Sequence, residues 1–115
     1  MPYNRGDVVL VLFPDSDLRT AKRRPALVVQ ADGLNTGLSQ SIVAMITSNM
    51  SRAGHPSRVA VPQASPQGRQ MGLLTDSVIM IDNLATVLDN EIDRTIGRCK
   101  DTREADAALR HTLGL

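Results

Sequence analysis

The chain has 115 residues, 42% of them hydrophobic, and a formal net charge of +1 at pH 7. This length fits one domain, residues 1–115, that buries roughly two-thirds of its unfolded surface. The charge excludes the global basic field of a non-specific nucleic-acid binder, so affinity for anions must come from local clusters. Cys99 stands alone and no apolar leader or long apolar run occurs, so we expect a cytoplasmic protein without disulfides.

Five segments in the first two-thirds of the chain have the pattern of β-strands. They are residues 8–13, 26–31, 41–47, 58–62 and 72–82, with turn residues between them. The first segment is apolar on both faces, which predicts that both faces are buried. Strands at such short intervals predict a small barrel.

The last quarter of the chain changes to a helical period. Asp89 can cap a brief helical turn, and residues 95–99 read as one more extended segment. The segment Asp101–Glu104 has the spacing of a capping box, and apolar residues recur at helical spacing behind it. This pattern predicts one closing helix on the barrel or on a partner. The apolar first strand and the edge at 95–99 also suggest a twofold interface.

A basic segment, Arg19–Pro25, directly precedes the second predicted strand. It carries four cations and no acid, and Pro25 biases Arg24 toward an extended conformation where the strand begins. A guanidinium fixed there could bind a phosphate in a defined orientation. The alternative is a solvated basic turn, and the segment alone does not decide between the two.

The sequence gives little support to other kinds of catalytic site. His55 and His111 are isolated and form no ligand pattern with Cys99, so neither a metal nor a cofactor is expected. Glycine-rich phosphate loops and a nucleophile elbow are absent. Asp15 and Asp17 could be paired carboxylates, but polarity of a hairpin explains them better.

A hydroxyl and guanidinium site remains. Thr47 and Ser48 end the third predicted strand and Arg24 begins the second, so their side chains could converge if these strands are neighbours. Such groups suit cleavage of RNA by its own 2′-hydroxyl, which needs a proton relay and a cation at the phosphorane. The alternative is an ordinary strand exit in which Ser48 and Asn49 cap a turn.

A series of short motifs runs along the chain from Arg5 to Gly97. They are Arg5–Val8, Arg24–Val29, Asn35, Ile46–Ser48, Gly72–Leu73, Asp76–Val78 and, more loosely, Ile96–Gly97. In this order the motifs resemble the PemK/MazF family of toxin endoribonucleases. The resemblance implies a mainly β fold: an SH3-like, partly open antiparallel β-barrel with a C-terminal helix, working as a homodimer.

The resemblance also implies an activity. The protein would be the toxin of a type II toxin–antitoxin system, cutting single-stranded mRNA without a metal and leaving 2′,3′-cyclic phosphate and 5′-hydroxyl ends. Arg24 would stabilise the phosphorane and donate a proton to the leaving oxygen, and Thr47 would position the phosphate. The RNA groove would be lined by Asn35, Ser48, Asp76 and Ser77, with Lys22 and Arg23 of the basic segment. Neither the general base nor the target sequence follows.

The expected partners come from the same resemblance. They are a second copy of the chain, single-stranded RNA, and an acidic, partly disordered antitoxin, with operator DNA bound only through the antitoxin complex. Leu18–Arg23 replaces a glycine-containing pair of the family, which would stiffen the loop over the site and leaves its gating open. The alternatives are a non-catalytic CcdB-like toxin that binds DNA gyrase, or an SH3-like nucleic-acid-binding adaptor.

Overall fold

The computed structural model describes residues 3–14 and 21–115. Its strands are β1 (Asp7–Pro14), β2 (Ala21–Val28), β3 (Gln40–Thr47), β4 (Arg58–Val61), β5 (Ser77–Leu88) and β6 (Ile92–Arg98). Its α-helices are α1 (Pro66–Gln70) and α2 (Arg103–Leu113), and short 3₁₀ turns occur at Met50–Arg52 and Asp89–Glu91. The predictions that concern Asp15, Asp17 and the start of the basic segment at Arg19 lie outside the described residues.

The described strands form one antiparallel sheet in the order β4-β5-β3-β2-β1-β6. β4 and β6 are its edges, so the sheet curls without closing, and α2 packs against β4 and β5. The predicted mainly β, partly open barrel with a C-terminal helix is confirmed. Among the described helices, none has the length and apolarity needed to cross a bilayer.

Both faces of β1 are buried, as its sequence predicts. Val8 belongs to the interior cluster with Ala105 and Ala108 of α2, whereas Val9 and Val11 face a second cluster. Val9 and Val11 are 0% exposed within a single chain, because residues of β5 and β6 pack over them. One chain therefore suffices to bury β1, and the apolar faces of this strand do not by themselves indicate a twofold interface.

The second strand begins earlier than predicted. β2 runs from Ala21 to Val28, so Arg24 lies within the strand and not where the strand begins. Its register with β1 sets Arg24 opposite Val11 and Pro25 opposite Leu10. Pairing with an apolar neighbour overrides the local signals of charge and proline that favour a loop. β5 likewise begins at Ser77, five residues later than predicted, because Gly72 to Asp76 form the turn after α1.

The predicted caps differ from those observed. The N-cap of α2 is Thr102, whose side chain makes no capping hydrogen bond, so there is no capping box from Asp101 to Glu104. The Asp101 carboxylate instead binds the backbone N–H and the guanidinium of Arg103. Asp89 is the first residue of its 3₁₀ turn, and Leu88 is the cap.

One end of the barrel, here termed the closed end, is held by side chains of the Arg5–Asp7 segment. The Arg5 guanidinium forms an ion pair with Asp106 of α2 and donates to the Val29 carbonyl at 3.2 Å. Asp7 pairs with Arg98 of β6 at 2.8 Å. These contacts join the N-terminal segment to β2, β6 and α2.

Candidate active site

β2 and β3 separate at the end of the barrel opposite the closed end. Their register pairs Val28 with Val43, Leu27 with Ala44 and Ala26 with Met45, and pairing stops there. Continued by two residues, the same register would set Arg24 opposite Thr47. Pro25 has no N–H to donate to a neighbouring strand, which suits it to the first position beyond the ladder. We call the resulting opening the split.

Two cavities lie at the split. The first has a volume of about 410 Å³ and the second about 520 Å³. Arg24, Ile46 and Thr47 line both cavities. The structure thus brings the two predicted catalytic residues to the boundary where the cavities meet.

Residues of the basic segment form one wall of the first cavity. Lys22, Arg23 and Arg24 line it, and all three side chains are exposed. Arg23 forms an ion pair with Asp93 of β6 at 3.1 Å, which partly offsets its charge. Arg24 forms no ion pair with any described residue, so its guanidinium is the better placed of the two for a phosphate.

Thr47 ends β3 in a turn that fixes its hydroxyl. Its Oγ1 accepts from the Asn49 N–H at 3.1 Å, and the Asn49 side chain accepts from the N–H of Ser51 at 3.1 Å. A turn of the kind that the sequence offered as the alternative is therefore present, but Thr47 and Asn49 form it and not Ser48. The two interpretations are compatible, because a hydroxyl that accepts from Asn49 keeps its own hydrogen for a phosphate oxygen.

The remaining predicted RNA-binding residues are placed differently from one another. Ser48 is exposed and lines the first cavity. Ser77 also lines that cavity, but its buried hydroxyl donates to the Thr75 carbonyl at 2.9 Å. Asp76 lines neither cavity and accepts from the Gln63 N–H at 2.8 Å. Asn35 lies in the connection between β2 and β3 at the opposite end of these strands, so a single chain does not bring it to the split.

The first cavity has an apolar floor that the sequence did not reveal. Leu10, Leu73 and Ile96 contribute to it, and Leu74, with 95% of its surface exposed, lies at its rim. Gly72 has φ +72°, and a Cβ there would collide with the carbonyl oxygen of Ile96. The glycines of the motifs Gly72–Leu73 and Ile96–Gly97 thus allow two backbones to meet beneath the split.

The second cavity depends on an irregularity in β5. Ala44 pairs with Leu84, but the next residue, Met45, pairs with Met80. Residues 81–83 therefore have no partner on β3, and Asn83 lines the cavity together with Arg52, Met45 and Met80. Irregularities of this kind often re-aim a side chain next to a functional site. Sequence periodicity gives no signal for such an offset.

Cys99 takes no part in either cavity. Its thiol is buried, accepts from Gln67 Nε2 at 3.4 Å and donates to the Asp101 carbonyl at 3.2 Å. Burial raises the pKa of the Cys99 thiol, which supports a structural role. The rings of His55 and His111 pack edge to face, with their centroids 6.1 Å apart, and neither residue lines either cavity.

Comparison with known proteins identifies relatives. The chain is 34% identical over 107 residues to "Endoribonuclease MazF6" of Mycobacterium tuberculosis, and the aligned region covers 90% of each protein. It superposes with a TM-score of 0.73 on an endoribonuclease from a mycobacterial species in complex with its cognate antitoxin, at 23% identity, covering 98% of this chain and 96% of that one. A MazE–MazF structure from Deinococcus radiodurans also superposes with a TM-score of 0.73, at 18% identity, covering 100% and 98%.

A family model agrees with these relatives. The model of the PemK-like, MazF-like toxin of type II toxin–antitoxin systems matches residues 4–113, and the match supports the nuclease toxin over the CcdB-like and adaptor alternatives. The resemblance stated from the motifs is confirmed: this chain belongs to the PemK-like, MazF-like toxin family of type II toxin–antitoxin systems.

Proposed function

We propose that this endoribonuclease toxin cleaves single-stranded mRNA at the split between β2 and β3, with Arg24 and Thr47 at the reacting phosphate. The observation that carries the proposal is that these two side chains line both cavities. An extended RNA strand could therefore place one nucleotide in each cavity and the phosphate between them.

The proposed reaction is an internal displacement at phosphorus. The 2′-oxygen of the RNA forms a bond to phosphorus and the bond to the 5′-oxygen breaks, giving a 2′,3′-cyclic phosphate and a 5′-hydroxyl. The proton of the 2′-hydroxyl passes to a general base, and the leaving oxygen takes a proton from the Arg24 guanidinium, which regains one from solvent. The scheme requires no metal, because protein groups supply the charge and the proton transfers.

Arg24 would act at the two places where negative charge develops during this reaction. Its guanidinium can donate to the non-bridging oxygens as negative charge builds on them, and to the leaving oxygen as it becomes basic. Thr47 would donate its hydroxyl hydrogen to the same phosphate, since its oxygen is oriented by Asn49. Preorganised donors of this kind act mainly on the transition state.

Neighbouring side chains would hold the rest of the strand. Lys22 and Ser48 can bind flanking phosphates, and Arg23 can do so more weakly beside Asp93. The two cavities are lined by no aromatic residue among those described, so bases would rest on aliphatic and thioether groups such as Met45, Met80 and Leu74.

A relative solved in complex with its cognate antitoxin supports an antitoxin partner, and the remaining partners are proposed from the resemblance to the family. An antitoxin would bind with an acidic segment in the first cavity, where it would exclude RNA by occupying the basic wall. The chain would act as a homodimer in the cytoplasm, and the Asn35 of a second subunit would approach the RNA bound at the split. Operator DNA would be bound through the antitoxin and not by this chain.

The test is cleavage of a long single-stranded RNA in excess EDTA, with the 5′ ends mapped for wild type, Arg24→Ala and Arg103→Ala. Arg103 is a matched control, because its side chain is 89% exposed and pairs with Asp101 away from both cavities. We expect discrete cuts with 5′-hydroxyls for wild type and Arg103→Ala, and none for Arg24→Ala. Intact RNA with wild type, or full activity of a folded Arg24→Ala protein, would overturn the proposal.

A further inference from the structure

One arginine outside the split connects two walls of the second cavity. Arg58, on β4, donates from Nη2 to Asp82 Oδ2 at 2.9 Å and from Nε to Asp82 Oδ1 at 3.4 Å. Its third donor, Nη1, reaches the carbonyl oxygen of Arg52 at 3.3 Å. A single guanidinium therefore joins β5 to the Met50–Arg52 turn.

Both connected segments face the cavity but lack a regular ladder to hold them. Arg52 lines the cavity from the turn, and Asn83, the residue after Asp82, lines it from β5. Residues 81–83 have no partner on β3. Their position depends instead on the Ile81 N–H, which donates to the Ser57 carbonyl at 3.0 Å, and on the bond from Asp82 to Arg58.

We propose that Arg58 is a positioning residue, which fixes the separation of Arg52 and Asn83 and thereby selects the nucleotide that the second cavity accepts. Arg58 does not line either cavity and acts without touching the RNA. The inference rests on the proposed function, since it requires RNA in the second cavity. It makes Arg58 a determinant of sequence preference and substrate affinity.

Arginine suits this position because its planar fork presents donors in two directions at fixed angles. The Arg58 guanidinium also holds the pKa of the Asp82 carboxyl below its ordinary value. A lysine could satisfy either Asp82 or the Arg52 carbonyl but not both in the same geometry. The side chains of Arg58 and Asp82 are 24% and 30% exposed, so the pair is partly buried like Arg5–Asp106, and the melting temperature of each variant is needed to separate stability from substrate selection.

The test compares Arg58→Ala and Arg58→Lys with Arg98→Ala, which removes an ion pair of similar length at the closed end. Each variant is assayed for kcat and KM on a long RNA, for its map of cut sites and for its melting temperature. We expect Arg58→Ala to raise KM about tenfold and to broaden the cut sequences with little change in kcat, because the misplaced walls weaken binding. Arg58→Lys should be intermediate, and Arg98→Ala should keep the wild-type KM and cut map.

The inference is overturned if Arg58→Ala and Arg98→Ala share the wild-type KM and cut map, whatever their melting temperatures. Should Arg58→Ala fail to fold, Asp82→Asn replaces it, and it must raise KM and broaden the cut map to support the inference. A wild-type KM and cut map in Asp82→Asn would overturn it. Failure of the proposed function gives a different result: no cleavage by wild type, or cleavage by Arg24→Ala.

Discussion

Arg5 and Arg24 lie at opposite ends of the barrel and differ in what their guanidinium groups bind. Arg5 uses three donors on three partners: the Val29 carbonyl at 3.2 Å, the Thr102 hydroxyl at 3.4 Å and the Asp106 carboxylate. The Arg24 guanidinium forms no ion pair with the described residues, and Arg24 lines two cavities. The first guanidinium therefore holds elements together, whereas the second has no charged partner among the residues that the structure describes.

The difference extends to the surrounding backbone. At the closed end, the Cys99 N–H donates to the Gly6 carbonyl at 2.7 Å, so β6 and the N-terminal segment are joined directly. At the split, the β2–β3 ladder stops at Ala26 and Met45, and Pro25 follows. A sheet that ends its ladder early leaves room for an extended strand of another molecule, and the closed end supplies the rigidity that keeps the opening in shape.

Replacement of each arginine by lysine separates the roles of the two ends most clearly. We expect Arg24→Lys to lower kcat about 10²-fold with an unchanged melting temperature, because a lysine keeps the charge but loses the fork that fits a phosphate. Initial rates on a single-site RNA oligonucleotide and thermal melting measure the two effects.

Arg5→Lys is the matched control and should behave in the opposite way. It loses donors to partly buried partners, so its free energy of unfolding should fall by about 1–3 kcal/mol while the kcat of the folded protein stays at the wild-type value. If Arg24→Lys lost stability, or Arg5→Lys lost kcat at a temperature where it is folded, the division between the two ends would be wrong.

The second prediction concerns the backbone contact beneath the split. Gly72 and Gly33 have nearly equal backbone angles, φ +72° and +67°, but only Gly72 faces a backbone that a Cβ would strike. Both substitutions by alanine incur the cost of positive φ, and Gly72→Ala adds overpacking, which we expect to lower stability by about a further 1–3 kcal/mol. Urea unfolding of both variants measures the difference, and equal losses would show that the close approach contributes nothing.

The sequence could predict that Arg24 and Thr47 line one candidate site, but it could not predict all of the walls of that site. Thr47 follows from a strand end and both residues from family-like motifs, although Arg24 lies within β2; their approach requires only that β2 and β3 are neighbours, which the structure bears out. The position of Asn83 follows from a three-residue offset in β5 that tertiary packing creates. Local patterns carry no information about such an offset, since the same residues would alternate regularly in an unbroken strand.

Three other differences also have physical causes. The sequence did not predict the first half of β2, because its charged residues and Pro25 locally favour a loop. Pairing with β1 overrides this preference. In contrast, α1 could have been found: Ser65 accepts from the Gly68 N–H at 3.0 Å and Pro66 occupies the first helical position, a pairing typical of helix starts. Asn35 matches the family motif, yet the hairpin carries it away from the split within one chain.

The smallest expected effect is an acid-dependent change at the closed end. Hydrogen bonds from the Arg103 side chain and then from its backbone lower the pKa of Asp101 to about 2, from 3.8. Because the folded pKa is the lower one, this interaction stabilises the protein fully above pH 3.8 and is lost as the pH falls through about 2. A carbon-13 NMR titration of the carboxyl should find that low midpoint in wild type and a higher one in Arg103→Ala, still below 3.8 because the backbone N–H of residue 103 remains; this variant keeps wild-type RNA cleavage at neutral pH. Both Asp101 and Arg103 are highly exposed, so the gain in stability is small, and an unshifted titration in wild type would mean that solvent screens the pair completely.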